Sequence, residues 1–131
     1  MSDLPRGELK RLKRAMIVYK AAWVPGERFC TPSIVKLRIP AGARVVLFNG
    51  PTLDTRKCRA DRAEVLSITF WDRRNRRPIK VAESDYTSQF VYTVGETVRP
   101  SHFSRSRSTK AMCAGGIHFF RKEEDARAYI W

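Results

Sequence analysis

The chain has 131 residues, with 26 lysines and arginines against 13 acidic side chains and a formal charge of +13. A hydrophobic content of 43% and an aromatic content of 11% give one domain enough material for its own core and exclude a disordered basic tail. No run approaches the roughly 18 apolar residues of a membrane span, no basic segment leads into an apolar stretch as in a signal peptide, and three cysteines without paired spacing exclude a disulfide framework.

The expected setting is therefore a reducing cytosol. So lopsided a charge exceeds what solubility asks for and points to an anionic partner: a phosphate-bearing small molecule, a nucleic acid or an acidic protein surface.

In chain order, Leu4 to Arg14 is basic, with Leu9 and Leu12 three apart, and predicts a helical turn or two. Residues 1–15 read as a basic N-terminal segment ahead of a single domain over 16–131. Met16 to Tyr19 predicts a strand before the Pro25-Gly26 turn. Ile34 to Ile39 alternates, setting Lys36 and Arg38 on the face opposite its packed residues, and Pro40 and Gly42 stop it. Arg44 to Phe48 predicts a second apolar strand, closed by Asn49-Gly50-Pro51, and the two are expected to pair as a hairpin.

Ala63 to Trp71 is the clearest strand, with β-branched and aromatic residues alternating with polar ones. It runs into an arginine loop, Asp72 to Pro78, and Ile79 to Ala82 is expected to return beside it. Phe90 to Val94 and Thr97-Val98 flank Gly95, which predicts a bulge or tight turn. Ser101 to Lys110 reads as a polar, basic loop. After Cys113 and a glycine pair, Ile117 to Phe120 predicts a short buried strand. A helix follows from about Lys122 to Tyr129, its first turn carrying Glu123, Glu124 and Asp125 where the dipole favours them. The fold class expected is α+β: a single twisted, mostly antiparallel sheet with short N- and C-terminal helices.

Cys58, Cys113 and His118 invite a metal, but the close pairs that zinc sites use are missing, so no metal and no cofactor is expected. A buried thiol and a hydrogen-bonded core histidine account for them better. A cysteine nucleophile with a histidine base lacks an evident residue to orient His118, and no catalytic motif is legible. His102 reads as an exposed loop residue.

Lys57-Cys58-Arg59-Ala60-Asp61-Arg62 can cradle a phosphate, or can be a solvated turn in which Asp61 pairs with Arg59 or Arg62. Beside Trp71, the residues Arg73, Arg74, Arg76 and Arg77 combine an aromatic with guanidinium groups, as base stacking with phosphate contact requires. The plainer reading of that cluster is an exposed turn.

The string Tyr19-Lys20, Ile34 to Ala41, Lys57-Cys-Arg-Ala60, Tyr92, Gly95, Val98-x-Pro100, Phe103, Cys113 and Gly116-Ile-His-Phe-Phe120, with Glu-Glu-x-Ala-x-x-Tyr129, resembles a family. That family is an uncharacterised small domain of bacteriophages and giant DNA viruses, often attached to pentapeptide repeats. The resemblance spans about Tyr19 to Tyr129 and implies a viral origin and action in the cytoplasm of an infected host cell. It carries no catalytic residue with it.

A small basic viral protein meets nucleic acids and nucleotide signals of host immunity. The leading expectation is a non-enzymatic sponge that sequesters a phosphorylated nucleotide, such as a cyclic nucleotide or an ADP-ribose derivative. Lys57 and Arg59 would hold phosphate, His118 would donate a hydrogen bond, and Tyr92 or Trp71 would stack on the base. Lys36 and Arg38 are the neighbouring candidates. One alternative is nucleic-acid binding through Arg73, Arg74, Arg76, Arg77, Arg105 and Arg107 with the N-terminal segment. Another is a virion or scaffold protein on an acidic protein surface. A pocket shared across a homo-oligomer is compatible with the sequence, and no membrane partner is expected.

Overall fold

Alternation decides this fold. From Val35 to Ile39 every second side chain is buried while Lys36 and Arg38 stay exposed, a period of two that only a strand turns into one wet and one dry face. The structure, a computed structural model, describes residues 7–26, 31–84, 91–107 and 115–129. Among them are ten strands: β1 (Glu8–Arg11), β2 (Met16–Val24), β3 (Thr31–Ile39), β4 (Arg44–Leu47), β5 (Cys58–Ala60), β6 (Ala63–Phe70), β7 (Val81–Glu83), β8 (Val91–Thr93), β9 (Thr97–Val98) and β10 (Ile117–Phe119). A 3-10 turn, Asp54–Arg56, precedes β5, and one helix, α1 (Glu123–Tyr129), follows β10.

The strands form two antiparallel sheets, ordered β1-β4-β5-β10 and β8-β7-β2-β3-β6-β9. The single-sheet expectation is thus overturned, and the molecule is mostly β rather than α+β. The N-terminal helix is overturned as well within the described residues. Glu8 to Arg11 pairs register for register with Arg44 to Leu47, and a ladder of four pairs outcompetes a helix too short to hold itself. Leu4 to Arg6 and Cys113 lie outside the described residues.

The expected hairpin of β3 with β4 does not form either. The Pro40 to Ala43 link carries the chain from one sheet to the other, tied to Leu12 by Leu12 N–H to Ala43 O and Gly42 N–H to Leu12 O, both 2.8 Å. β3 pairs instead with β2 along nine residues and with β6. The segment after the arginine loop does not return beside β6; β7 pairs with β2 and β8.

The larger sheet is curled. Its edge strands β8 and β9 are joined by only Val94, Gly95 and Glu96, so Thr93 and Thr97 lie at most about 15 Å apart, whereas a flat six-stranded sheet holds its edges about 24 Å apart. Gly95 takes a positive φ of 89° in that link, a conformation glycine adopts without Cβ strain. Its N–H donates to Val65 O while Val94 N–H donates to Lys80 O, stitching the two sides of the sheet together. A bulge at Leu66, where Lys36 faces Ser67 but Leu37 faces Val65, bends β6 and switches its inward set from Ala63 and Val65 to Ile68 and Phe70.

One core cluster fills this curl and the inner face of the smaller sheet. It joins Val18, Leu37, Val65 and Tyr92 to Val45, Cys58, Ile117 and Phe119. On the outside, α1 lays Ala126 against Ile34 and Phe120, with Tyr19, Trp71 and Tyr129 at the margin. A lone bridge between Tyr19 and Phe120 fastens the end of β10 to β2.

Candidate anion-binding site

The residues expected to make a nucleotide pocket are spread over four places. Cys58 and Ala60 point into the core, so Arg59 between them points to the outer face of the smaller sheet, directly across from His118. There Arg59 is only 1% exposed. Its guanidinium donates to Ser106 O and lies 5.7 Å from the Phe48 ring centre.

Phe103 to Arg107 lies over that face, held by Ser104 N–H to Gly115 O and Gly7 N–H to Arg107 O, both 2.8 Å, and by Arg107 Nε to Gly7 O at 2.7 Å. Burial lowers the pKa of Arg59, opposed in part by Cys58. Half-buried His118 accepts from Lys20 Nζ through its backbone carbonyl at 3.1 Å.

Tyr92 lies in the core with no exposed surface, 5.8 Å beneath the Lys20 ammonium, and burial pushes its phenol above the usual range. Lys57 and Trp71 both serve α1. The Lys57 ammonium sits 5.3 Å over the Tyr129 ring, while Trp71 Nε1 donates to Arg127 O at 3.2 Å and Arg127 returns a 2.7 Å bond to Trp71 O. Lys36 and Arg38 stand on the exposed face of β3, where Arg38 grips Glu64 at 2.7 Å. Arg59 and His118 are brought together; the seven do not share one cavity.

A cleft of about 480 Å³ opens elsewhere, between the loop after β4 and the start of α1. The loop side is Phe48, Asn49 and Gly50, and the other side is Arg121, Lys122, Glu124 and Asp125, with Arg56 between. Glycine is required at position 50: a Cβ there would meet Thr55 Oγ1 at 2.1 Å. Arg56 spends its whole fork on structure, giving Nε to Gly50 O and Nη2 to Pro51 O, both 3.0 Å, and Nη1 to Asp125 at 3.1 Å. Asp125 is thereby neutralised.

Arg121 donates to Phe48 O at 2.8 Å and also reaches toward the Cys58 thiol, and both Arg121 and Lys122 are exposed. Neither makes an ion pair with a described residue. Below the cleft, the Cys58 thiol is fully buried. Burial pushes its pKa up, against the opposing pull of the Phe48 N–H, 3.3 Å from Sγ, and of Arg121, so it stays a neutral thiol.

The arginine loop borders this site. Asp72 Oδ1 accepts from Arg74 N–H at 3.0 Å and Asn75 Oδ1 from Arg77 N–H at 3.2 Å, two side-chain turns that fix the backbone. Arg77 stacks over Phe70 at 5.6 Å, Arg74 and Arg76 are exposed, and Arg73 reaches Glu123 at 3.4 Å. Glu123 also takes Arg127 at 2.9 Å. Loop and cleft are therefore adjacent across one residue of α1. Arg105 and Arg107 belong to the other side, on the segment that covers Arg59.

Sequence reasoning missed Arg56, Arg121 and Lys122. The signal was present one residue before Lys57 and directly before the acidic turn, but nothing local says that they meet. Among the described residues no group of three or more side chains could hold a metal ion.

No curated protein and no solved structure matches the chain. The sequence model of a family of unknown function (DUF5758) does match, over residues 9–126, and the chain belongs to that family.

Proposed function

We propose that the protein is a non-enzymatic binding domain that captures a phosphorylated nucleotide in the cleft at the start of α1. The observation that carries this reading is the pair Arg121 and Lys122 at the rim, exposed and in no ion pair with a described residue, beside a wall where Arg56 already neutralises Asp125, one of its two acids. Uncompensated cations beside a fixed wall attract phosphate. A volume of about 480 Å³ is more than a bare phosphate needs and falls in the range of small-ligand pockets. Asn49 and Glu124 offer amide and carboxylate groups for the polar edges of a sugar or base.

Capture alone is the action such a cleft performs, which fits sequestration of a signal nucleotide by a viral protein inside its host. The phosphate contact then belongs to Arg121 and Lys122 rather than to Lys57 and Arg59. A thermal-shift and calorimetry panel of nucleotides at about 150 mM salt tests it, since surface charge is screened there beyond about 8 Å. One nucleotide should stabilise the protein selectively, and the combined Arg121→Ala and Lys122→Ala variant should bind it at least tenfold more weakly. Equal affinity in that variant removes the site.

A second reading has its own observation: a rigid turn that aims Arg74 and Arg76 at solvent, which suits a nucleic-acid backbone. It predicts affinity that falls steeply with salt, as each phosphate contact releases counterions.

A further inference from the structure

We infer that the ligand carries two separated phosphate groups and straddles Glu123, one phosphate on Arg121 and Lys122 and the other on Arg73 and Arg74. This rests on the cleft reading above and names its ligand class: a dinucleotide or a similarly bridged pair of nucleoside phosphates.

The charge distribution around Glu123 carries the argument. Its one carboxylate receives two guanidinium groups and can neutralise one. Arg127 is the structural partner, at 2.9 Å with an 18% exposed side chain and a second bond to Trp71 O. Arg73 is surplus: 75% exposed, at 3.4 Å. Exposed pairs of that length contribute little, so a phosphate displaces the contact readily. Arg74 is held just as loosely, 3.6 Å from Asp72 with its side chain 96% exposed.

Lys122 is the chain neighbour of Glu123 and Arg121 the next residue, both on the cleft rim. Two cationic centres are thus linked through Glu123, one by contact and one along the chain. A phosphate placed midway would face that carboxylate at close range, and like charges repel there. A phosphate on each centre avoids Glu123 and meets two cations, with Glu124 on the cleft wall turned to the polar edge of the sugar or base. The backbone of the loop holding Arg73 and Arg74 is fixed by the Asp72 and Asn75 turns, so only the two side chains are left to order on binding.

The test compares adenosine monophosphate, a 5′-phosphorylated dinucleotide randomised at both bases, and a 5′-phosphorylated decamer of the same composition, by calorimetry at about 150 mM salt. The parent protein should bind the dinucleotide at least tenfold more tightly than the mononucleotide. Arg73→Ala with Arg74→Ala should erase that advantage while leaving mononucleotide affinity unchanged; Arg121→Ala with Lys122→Ala should weaken both. Equal affinity for one and two phosphates, or a loop variant that changes neither, overturns the two-centre ligand but leaves the cleft standing. Affinity that keeps climbing to the decamer overturns it in favour of a polymer track. Silence from every nucleotide overturns the cleft reading along with it.

Discussion

Two basic regions of this protein use arginine in opposite ways. On the outer face of the smaller sheet, Arg59 is buried beneath the Phe103 to Arg107 segment and gives its charge to a carbonyl and a phenyl ring. At the start of α1, Arg121 and Lys122 stand in water beside a cleft, and Arg73 and Arg74 are held only by long contacts. A charge count treats these regions alike. Desolvation separates them: a buried guanidinium already committed to protein acceptors is a strut, while an exposed one with an unfilled fork is available to a ligand.

That contrast can be broken most forcefully at Arg59. Arg59→Ala removes a buried side chain and its bond to Ser106 O, which should cost about 2–4 kcal/mol of stability. Thermal unfolding reads it, and the folded fraction should keep its nucleotide affinity. A midpoint unmoved from the parent value would mean that Arg59 is no strut.

Gly50→Ala tests the wall of the cleft. The new methyl overlaps Thr55 Oγ1 and should cost about 1–3 kcal/mol while opening the loop, so stability and affinity should fall together. Affinity that survives in full would detach the Gly50 wall from binding.

A smaller effect sharpens the view of the core. Burial raises the Tyr92 phenol above its unfolded value of about 10, so the folded state disfavours ionisation. Stability from this group is complete below pH 10 and is lost as pH climbs above it, because the unfolded chain gives up the proton first. Tyrosinate absorbance followed with unfolding should show a steepening loss above that pH which Tyr92→Phe reduces. An identical pH profile in both proteins would place the phenol in water.

Much of the strand content is legible locally. Ile34 to Ile39 and Ala63 to Phe70 announce themselves by alternation, and Asn49-Gly50-Pro51 announces the loop that became a wall of the cleft. Partner choice is not legible. Nothing in Arg44 to Leu47 says that it prefers Glu8 to Arg11 over its chain neighbour β3, because pairing energy depends on which faces are left to bury once all strands are present. The site suffered likewise: Arg56 and Asp125 meet across 69 residues, and Lys57, one position along, turns toward Tyr129 instead. Period-two arithmetic places Arg59 on the face away from the core, but only tertiary structure shows that a segment covers that face.

The Gly7–Arg107 tie carries a consequence for how the molecule assembles. It joins residues 100 apart in sequence, and β10 finds β5 over a long stretch of chain as well. The smaller sheet joins β1 to β10 through β4 and β5, so it cannot finish until residues 117–119 have been made, whereas the larger sheet has all its strands once β9 has formed. Such high contact order predicts folding in milliseconds to seconds rather than microseconds, with loop closure as the slow event. During synthesis the open edge of β5 would wait for β10, and removing β10 would strip that edge from the smaller sheet while the larger sheet keeps its six strands.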